Sequence, residues 1–442
     1  MPTNLRYYWQ QLQESLWFVP GLLVLGAFGL AYGVVEFDAR TSFDGDKRFP
    51  LLFGAGAEGS RGMLTAIAGS MLTVAALVFS LTLSTISQVS SQYSPRVLRN
   101  FMRDRGNQVV MGYFVGVFAY CLIVLGTIRG NDEQRFVPST AVLLGLVLAL
   151  GGVVALIYFI HHIAESLQTG TILHRISNET LNAMNELFPA ELGDPAAPEQ
   201  AADALAFAAL HSWQTVCSTQ AGYVQRLNAT GIMRWAKQHH ALLRAEQPIG
   251  AFVGEEALLF SVRPDTPGAD AIPAAALKEL PDQMVVARHR SIEQDVAFGI
   301  QQLVDITLRA LSSGVNDTTT AIMAIDHLAL ASQRLASRPF PPRLRSDGQQ
   351  PRVLAQAMDF AGYMRLAFDL VRINAEGNHA VLRRLLRALA LAAQATGTAE
   401  RKKVLAEQAE LLLACANSTL STDYEKQAVQ ALHAELKASW QV

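Results

Sequence analysis

Hydrophobic and polar residues are unevenly distributed along the chain, and this distribution divides it into two parts. Long apolar stretches without charged side chains occur only in the first part, and each is long enough to cross a hydrocarbon core of about 30 Å. The predicted membrane spans are 16–35, 62–86, 109–128 and 136–160. The pattern therefore predicts an α-helical four-span transmembrane domain over residues 1–165, followed by a region with the charge density of a soluble domain.

The second apolar stretch, residues 62–95, has no charge but is rich in hydroxyl side chains. Seven of them recur at alternating intervals of three and four residues, with one leucine in the series, which predicts a single stripe along a helix. This hydroxyl stripe consists of Ser70, Thr73, Leu77, Ser80, Ser84, Ser87, Ser91 and Ser94. An unbroken helix over 62–94 would be about 50 Å long, so we expect its end, to about residue 94, to project beyond the bilayer.

Charge in the loops predicts the orientation of the spans. Arg96, Arg99 and Arg103 follow the second span, and arginines near span ends favour the cytoplasmic side. We therefore expect both termini to be cytoplasmic, with these arginines at the inner mouth of any path along the stripe. A solvent-lined path and a symmetric helix–helix seam both explain a stripe of hydroxyls on a membrane helix.

The region after the spans predicts an α+β domain. Residues 166–202 read as a helix and a linker, residues 203–292 as a small β-rich module, and residues 293–442 as a helical region. Runs rich in β-branched and aromatic residues predict the strands at 215–227, 241–247, 251–262 and 284–292. Residues 351–442 predict three or four amphipathic helices.

A helical hairpin is the most distinct local signal in the helical region. Asp295 is a predicted N-cap, Gly314 ends the first helix, and Asn316 or Asp317 caps the second. Asp305, Arg309, Asn316 and Asp317 are candidate ligand-binding residues at this hairpin. The alternative is that they serve only as surface pairs and helix caps, and this structural role is the favoured one.

Composition excludes some functions and disfavours others. The formal net charge is −2, which gives no support for nucleic-acid binding by broad electrostatic attraction. Cys121, Cys217 and Cys415 lack metal or disulfide spacing, and the sequence carries no phosphate-binding loop, paired metal histidines or nucleophile elbow. We therefore expect no cofactor, no metal and no enzymatic activity.

Two groups of residues carry a resemblance to a known family. Residues 79–82 with 90–96 form one, and Phe298-Gly299 through Asn316-Asp317 to Ala321 form the other. Both are similar to a numbered domain-of-unknown-function family of bacterial integral membrane proteins, in which four N-terminal spans precede a C-terminal cytoplasmic domain. The resemblance covers nearly the whole chain and implies a bacterial inner-membrane location.

These observations favour a homo-oligomeric, channel-like membrane protein that conducts small ions along the stripe. The expected partners are the lipid bilayer, further copies of the same chain and small ions. The alternative is a membrane-anchored sensory or scaffold protein whose cytoplasmic domain binds a ligand or partner. Coupled transport is disfavoured because transporters usually keep ionisable groups within the membrane.

Overall fold

The computed structural model describes residues 15, 17–40, 56–92, 104–129, 136–186, 194–195, 213–266, 269–340 and 343–440, with only the backbone at 90–92, 186, 194 and 195. These residues form two compact units, one ending at Gln168 and the other beginning at Thr169. The boundary lies close to the predicted end of the transmembrane domain at residue 165.

Among its described residues, the N-terminal unit contains four helices that are long and apolar enough to cross a membrane. They are α1 (Phe18–Arg40), α2 (Gly56–Gln92), α3 (Arg105–Thr127) and α4 (Ser139–Ser166). The four membrane helices predicted from the apolar pattern are confirmed, and each extends beyond its predicted apolar core at one or both ends.

Helix α3 is central to this unit and packs against the other three helices. Its glycines permit a close approach to α1, because a Cβ added at Gly112 would lie 2.7 Å from both the Pro20 Cα and the Leu23 Cδ1. No side chain fits there without separating the two helices. Two tyrosine hydroxyls of α3 donate hydrogen bonds to backbone carbonyls of α4. Tyr120, which is buried, donates to the Ala141 carbonyl at 2.8 Å, and the partly buried Tyr113 donates to the Leu148 carbonyl at 2.7 Å.

Helix α2 is longer than its predicted span and begins six residues before it. The additional turn, residues 56–61, is polar. Its Arg61 guanidinium donates to the Ile128 carbonyl at 2.7 Å, which ties the start of α2 to the end of α3. The predicted helix end near residue 94 lies outside the described residues.

The C-terminal unit begins with α5 (Thr169–Glu186) and contains two sheets. The larger sheet has the order β1-β8-β9-β4-β6-β2, and only its β4–β9 pair is parallel. The smaller, antiparallel sheet has the order β5-β3-β7. The strands are β1 (Asp194–Pro195), β2 (Gln214–Cys217), β3 (Gly222–Leu227), β4 (Ala241–Ala245), β5 (Phe252–Val253), β6 (Leu258–Pro264), β7 (Met284–Ala287), β8 (Leu344–Ser346) and β9 (Pro351–Leu354).

Three features of the sheets differ from the sequence interpretation. The predicted strand 251–262 is two strands, β5 in the smaller sheet and β6 in the larger one, because the chain turns at 255–256 between them. The predicted strand 215–227 is two strands, because residues between them turn with the Ser218 hydroxyl donating to the Gln220 carbonyl at 2.7 Å. The β8–β9 hairpin joins the larger sheet from a segment expected to belong to the helical region. Its parallel pairing with β4 joins residues about 110 positions apart, a contact that local pattern does not reveal.

The helices from residue 296 onward form three consecutive hairpins in the described part of this unit. Helix α6 (Ala229–Gln238) and the short α7 (Ala274–Leu277) belong to the sheet region. The hairpins pair α8 (Val296–Leu311) with α9 (Thr318–Ser337), α10 (Phe360–Asn374) with α11 (His379–Gln394), and α12 (Ala399–Thr419) with α13 (Asp423–Trp440).

The hairpins stack in register. Their first helices pack side by side, their second helices do the same, and α5 packs against both helices of the first hairpin. The Asn378 side chain donates to the Thr318 hydroxyl at 3.0 Å, and the Gly377 N–H donates to the Thr419 hydroxyl at 3.1 Å. The expected helical region is therefore an ordered stack whose turns lie at one end.

The β8–β9 hairpin is held by a buried charge cluster. The Arg352 guanidinium binds the Asp347 carboxylate at 2.9 Å and also pairs with Asp265. The Asp347 carboxylate accepts further hydrogen bonds from the Gln349 and Gln350 N–H groups. Burial alone would raise the pKa of Asp347, but these hydrogen bonds outweigh it and lower the pKa to about 2.

We expect acidification to destabilise the C-terminal unit through Asp347. A depressed carboxylate pKa adds stability above its ordinary value near 3.8, and this stability is lost as the pH falls toward 2. The loss should be about 2 kcal/mol and should be absent in Asp347→Asn. Thermal melting of the full chain between pH 5 and pH 2.5 measures it, with exposed Asp270→Asn as the control. Equal pH dependence of Asp347→Asn and the wild type would contradict this assignment.

Candidate functional site

The hydroxyl stripe lies on the exposed face of α2. Ser70, Thr73, Leu77, Ser80, Ser84 and Ser87 are all exposed in the single chain. The buried residues of the same helix recur on the opposite side, roughly 180° away: Leu64, Ile67, Ala68, Met71, Ala75, Val78, Thr82, Thr85 and Val89. The packing of the four helices therefore leaves the whole described stripe uncovered. The side chain of Ser91 and all of Ser94 lie outside the described residues.

Large apolar side chains border the stripe on both sides. Leu72, Phe79 and Leu83 are exposed on one flank and Leu81 on the other. Two stripe hydroxyls bond to their own helix, because Ser70 donates to the Ala66 carbonyl at 2.8 Å and Thr73 to the Gly69 carbonyl at 2.9 Å. Such bonds allow a hydroxyl to face lipid, a neighbouring helix or water.

Hydroxyls also occur on the buried face of α2, which the sequence analysis did not single out. Thr82 is 9% exposed and donates to the Val78 carbonyl at 2.8 Å, and Thr85 is 8% exposed. The hydroxyl content of α2 is therefore not confined to the stripe, and the described stripe differs from Thr82 and Thr85 in being exposed.

A histidine–aspartate contact joins α3 and α4 where the apolar segments end. The His162 Nε2 lies 2.9 and 3.0 Å from the two Asp104 carboxylate oxygens, and Asp104 also caps α3 by accepting from the Gly106 N–H at 2.9 Å. The Tyr158 ring stacks on the imidazole at a centroid distance of 5.5 Å. This contact was not predicted from the sequence, in which the signal is Asp104, an N-cap residue type a few residues before the apolar run at 109–128.

Charged side chains at the other ends of the helices complement the helix dipoles. The Asp38 carboxylate accepts from the Ala141 N–H at 3.0 Å near the start of α4, and Arg61 donates to a carbonyl at the end of α3. An anion at a helix N-terminus and a cation at a C-terminus are both stabilising. The proposed inner-mouth residues Arg96, Arg99 and Arg103 lie outside the described residues.

The candidate residues of the α8–α9 hairpin are placed as caps and surface groups. Asp317 caps α9 by accepting from the Thr320 N–H at 3.0 Å, and Asn316 has a positive φ of 48° in the turn. The Thr320 hydroxyl bond, then backbone N–H bonds, lower the pKa of Asp317. Asp305 accepts from the Gln301 amide at 2.8 Å, within its own helix, and Arg309 is exposed one turn later.

Other candidate chemistry is sparse in the described part of the chain. No group of three or more histidine, cysteine or acidic residues there could hold a metal ion. Cys121 and Cys415 are buried, and Cys217 is exposed on β2. The exposed face of α2 is therefore the candidate functional site.

Comparison with known proteins places the chain in a family. The sequence profile described as predicted membrane protein (DUF2254) matches residues 13–391. The chain belongs to the DUF2254 family. It is 30% identical over 428 residues to uncharacterized protein MT1328 of Mycobacterium tuberculosis strain CDC 1551 / Oshkosh, which covers 94% of this chain and 78% of the relative. Uncharacterized proteins Mb1321c of Mycobacterium bovis and Rv1290c of M. tuberculosis H37Rv match with the same identity and coverage. No solved structure matches the chain.

The DUF2254 match covers both units of this protein. It includes the four membrane-competent helices, both sheets and the first two helical hairpins almost to the end of α11. The third hairpin, α12 with α13, lies beyond the match. Of the residues that carry the resemblance, 79–82 and 90–92 lie on α2 and 298–321 lie on the α8–α9 hairpin, so the resemblance includes part of the exposed stripe.

Proposed function

We propose that this DUF2254 protein is a homo-oligomeric, channel-like protein in which α2 lines a path for small ions. The observation that supports it is the exposure of the hydroxyl stripe directly opposite the buried face of α2. Packing among the described residues accounts for the buried face, and in that part of the chain the stripe stays exposed.

The flanking residues give the proposed assembly its geometry. With α2 helices arranged around an axis, Leu72, Phe79, Leu83 and Leu81 would contact neighbouring copies while the hydroxyls face the axis. The exposed face of α2 would then supply both the apolar contacts between subunits and the polar lining of the path. The sequence has no charged residue between Gly62 and Pro95, which favours weak charge selectivity.

The proposed setting is the bacterial inner membrane with both termini in the cytoplasm. The arginines that follow α2 in the sequence favour that side, and four spans return the C-terminal unit to it. Lipid, copies of the same chain and small ions are then the partners of the protein.

Cysteine modification at neighbouring positions tests the lining of the path. Ser80→Cys and Phe79→Cys differ by about 100° around α2, and both positions are exposed. In a Cys217→Ser background, we expect a charged, thiol-specific methanethiosulfonate reagent to change the bilayer conductance of Ser80→Cys and Ser87→Cys at least several-fold. Phe79→Cys should respond little, because its side chain points toward a neighbouring helix.

Two results would overturn the channel proposal. One is a monomer or dimer as the largest species in lipid nanodiscs, measured by mass photometry or native mass spectrometry. The other is the absence of conductance in reconstituted wild type across voltage, pH and osmotic conditions.

A membrane-anchored scaffold is favoured by a different observation, the three stacked hairpins of the C-terminal unit. Stacked helical hairpins present extended faces that suit partner binding. In that case the stripe would be only a seam between copies, and cysteines introduced in the stripe would form disulfides across the seam when a mild oxidant is added to accept the two electrons, without affecting any conductance.

A further inference from the structure

Leu77 is the one large apolar side chain within the hydroxyl stripe. It lies between Thr73 and Ser80, and 50% of its surface is exposed. Along the helix axis it is about 10 Å from Ser70 and about 15 Å from Ser87, so polar positions extend on both sides of it. No other residue of the described stripe interrupts the hydroxyls.

An isolated leucine of this kind has a specific effect on a narrow polar path. Hydroxyls above and below it can replace part of the hydration shell of an ion, whereas a ring of isobutyl groups cannot. Water leaves a sufficiently narrow apolar constriction, and the loss of water alone blocks ions there. No charged side chain lies within the sequence of this stretch to draw water or ions across such a ring.

We infer that Leu77 forms the hydrophobic gate of the path, closed by dewetting and opened when the α2 helices move apart. The inference rests on the proposed channel function and adds the residue that regulates it. Small hydrated ions of either sign are the permeating class, because the barrier is the cost of removing water and not an electrostatic one.

The gate is tested with matched leucine variants in the full chain. Leu77 and Leu122 are similarly exposed, at 50% and 45%, but Leu122 lies on α3 and not on the stripe. We expect Leu77→Ser to raise the resting ion leak of proteoliposomes by about tenfold or more, because a hydroxyl ring stays hydrated at that level. Leu122→Ser should leave the leak near the wild-type value.

A bulkier side chain provides the opposite test. Leu77→Phe should reduce the open probability in single-channel records, and Leu122→Phe should not. Both positions are exposed, so all four variants should fold, and their melting temperatures and oligomeric masses are checked against the wild type.

The outcomes separate the gate from the channel. If wild type conducts and Leu77→Ser leaks no more than Leu122→Ser, Leu77 is not the gate and the channel proposal stands. If neither the wild type nor any variant conducts, the channel proposal fails and the gate fails with it. An increased leak in Leu77→Ser together with reduced opening in Leu77→Phe supports both.

Discussion

Replacing Asp295 with alanine is expected to destabilise the C-terminal unit by about 3 kcal/mol, the largest effect of any substitution considered for this unit. The Asp295 side chain is 2% exposed and accepts from the Arg290 Nε at 2.8 Å and the Arg290 Nη2 at 2.9 Å. It also caps α8 by accepting from the Phe298 N–H at 2.9 Å. Alanine removes the helix cap and leaves Arg290 without its carboxylate partner in a half-buried site.

Asp317→Ala is the matched control, since Asp317 caps the next helix but is exposed. Losing that cap alone should destabilise the unit by about 1 kcal/mol. Urea unfolding of the full chain in detergent, followed by tryptophan fluorescence, measures both variants. Adding Arg290→Met to Asp295→Ala should recover part of the loss, because no guanidinium then lacks its partner. Equal losses for the two alanine variants would show that the arginine pair contributes nothing beyond the cap.

Gly299→Ala is expected to destabilise the same unit by a different mechanism, the separation of α5 from α8. A Cβ at Gly299 would overlap the Thr180 hydroxyl and lie 2.9 Å from the Thr180 Cβ and 3.0 Å from its Cγ2. Thr180 is completely buried and its hydroxyl donates to the Ile176 carbonyl at 2.7 Å, so the side chain is not free to move away. Overpacking of about 3 kcal/mol, less about 1 kcal/mol of improved helix propensity, leaves a net loss of about 2 kcal/mol.

Gly314→Ala is the control for this change, because nothing lies within 4 Å of a Cβ at Gly314. It should alter the unfolding free energy by less than about 0.5 kcal/mol. Combining Gly299→Ala with Thr180→Ala should restore part of the lost stability, since the methyl and hydroxyl groups of Thr180 are then gone. A Gly299→Ala protein as stable as the Gly314→Ala protein would contradict the close approach of α5 and α8.

The α8–α9 signature is the group of residues 298–321 that carries the family resemblance. Asp295 lies just before it, and Gly299 and Asp317 lie within it. Asp295 fixes the start of α8 and Gly299 its packing against α5, while Asp317 fixes the start of α9. Much of this signature is therefore explained by the construction of the hairpin. The stripe on α2 is different, because no contact in the chain that the structure describes accounts for its exposed hydroxyls.

The sequence by itself determined the features that depend on near neighbours along the chain. The four membrane helices follow from uninterrupted apolar runs, and the starts of α8 and α9 follow from Asp295 and Asp317, whose side chains bond to N–H groups three residues away. The periodic hydroxyls of α2 were also visible, since helical spacing alone places them on one line.

Only the tertiary structure decided the features that depend on residues distant in sequence. It paired β9 with β4, bound Asp104 to His162, and buried Asp295 beneath Arg290. It also decided which face of α2 packs against α3 and α4, and so left the stripe exposed. Periodicity defines the faces of a helix, but which face is buried depends on the neighbouring helices, and their positions are fixed only when the whole unit packs.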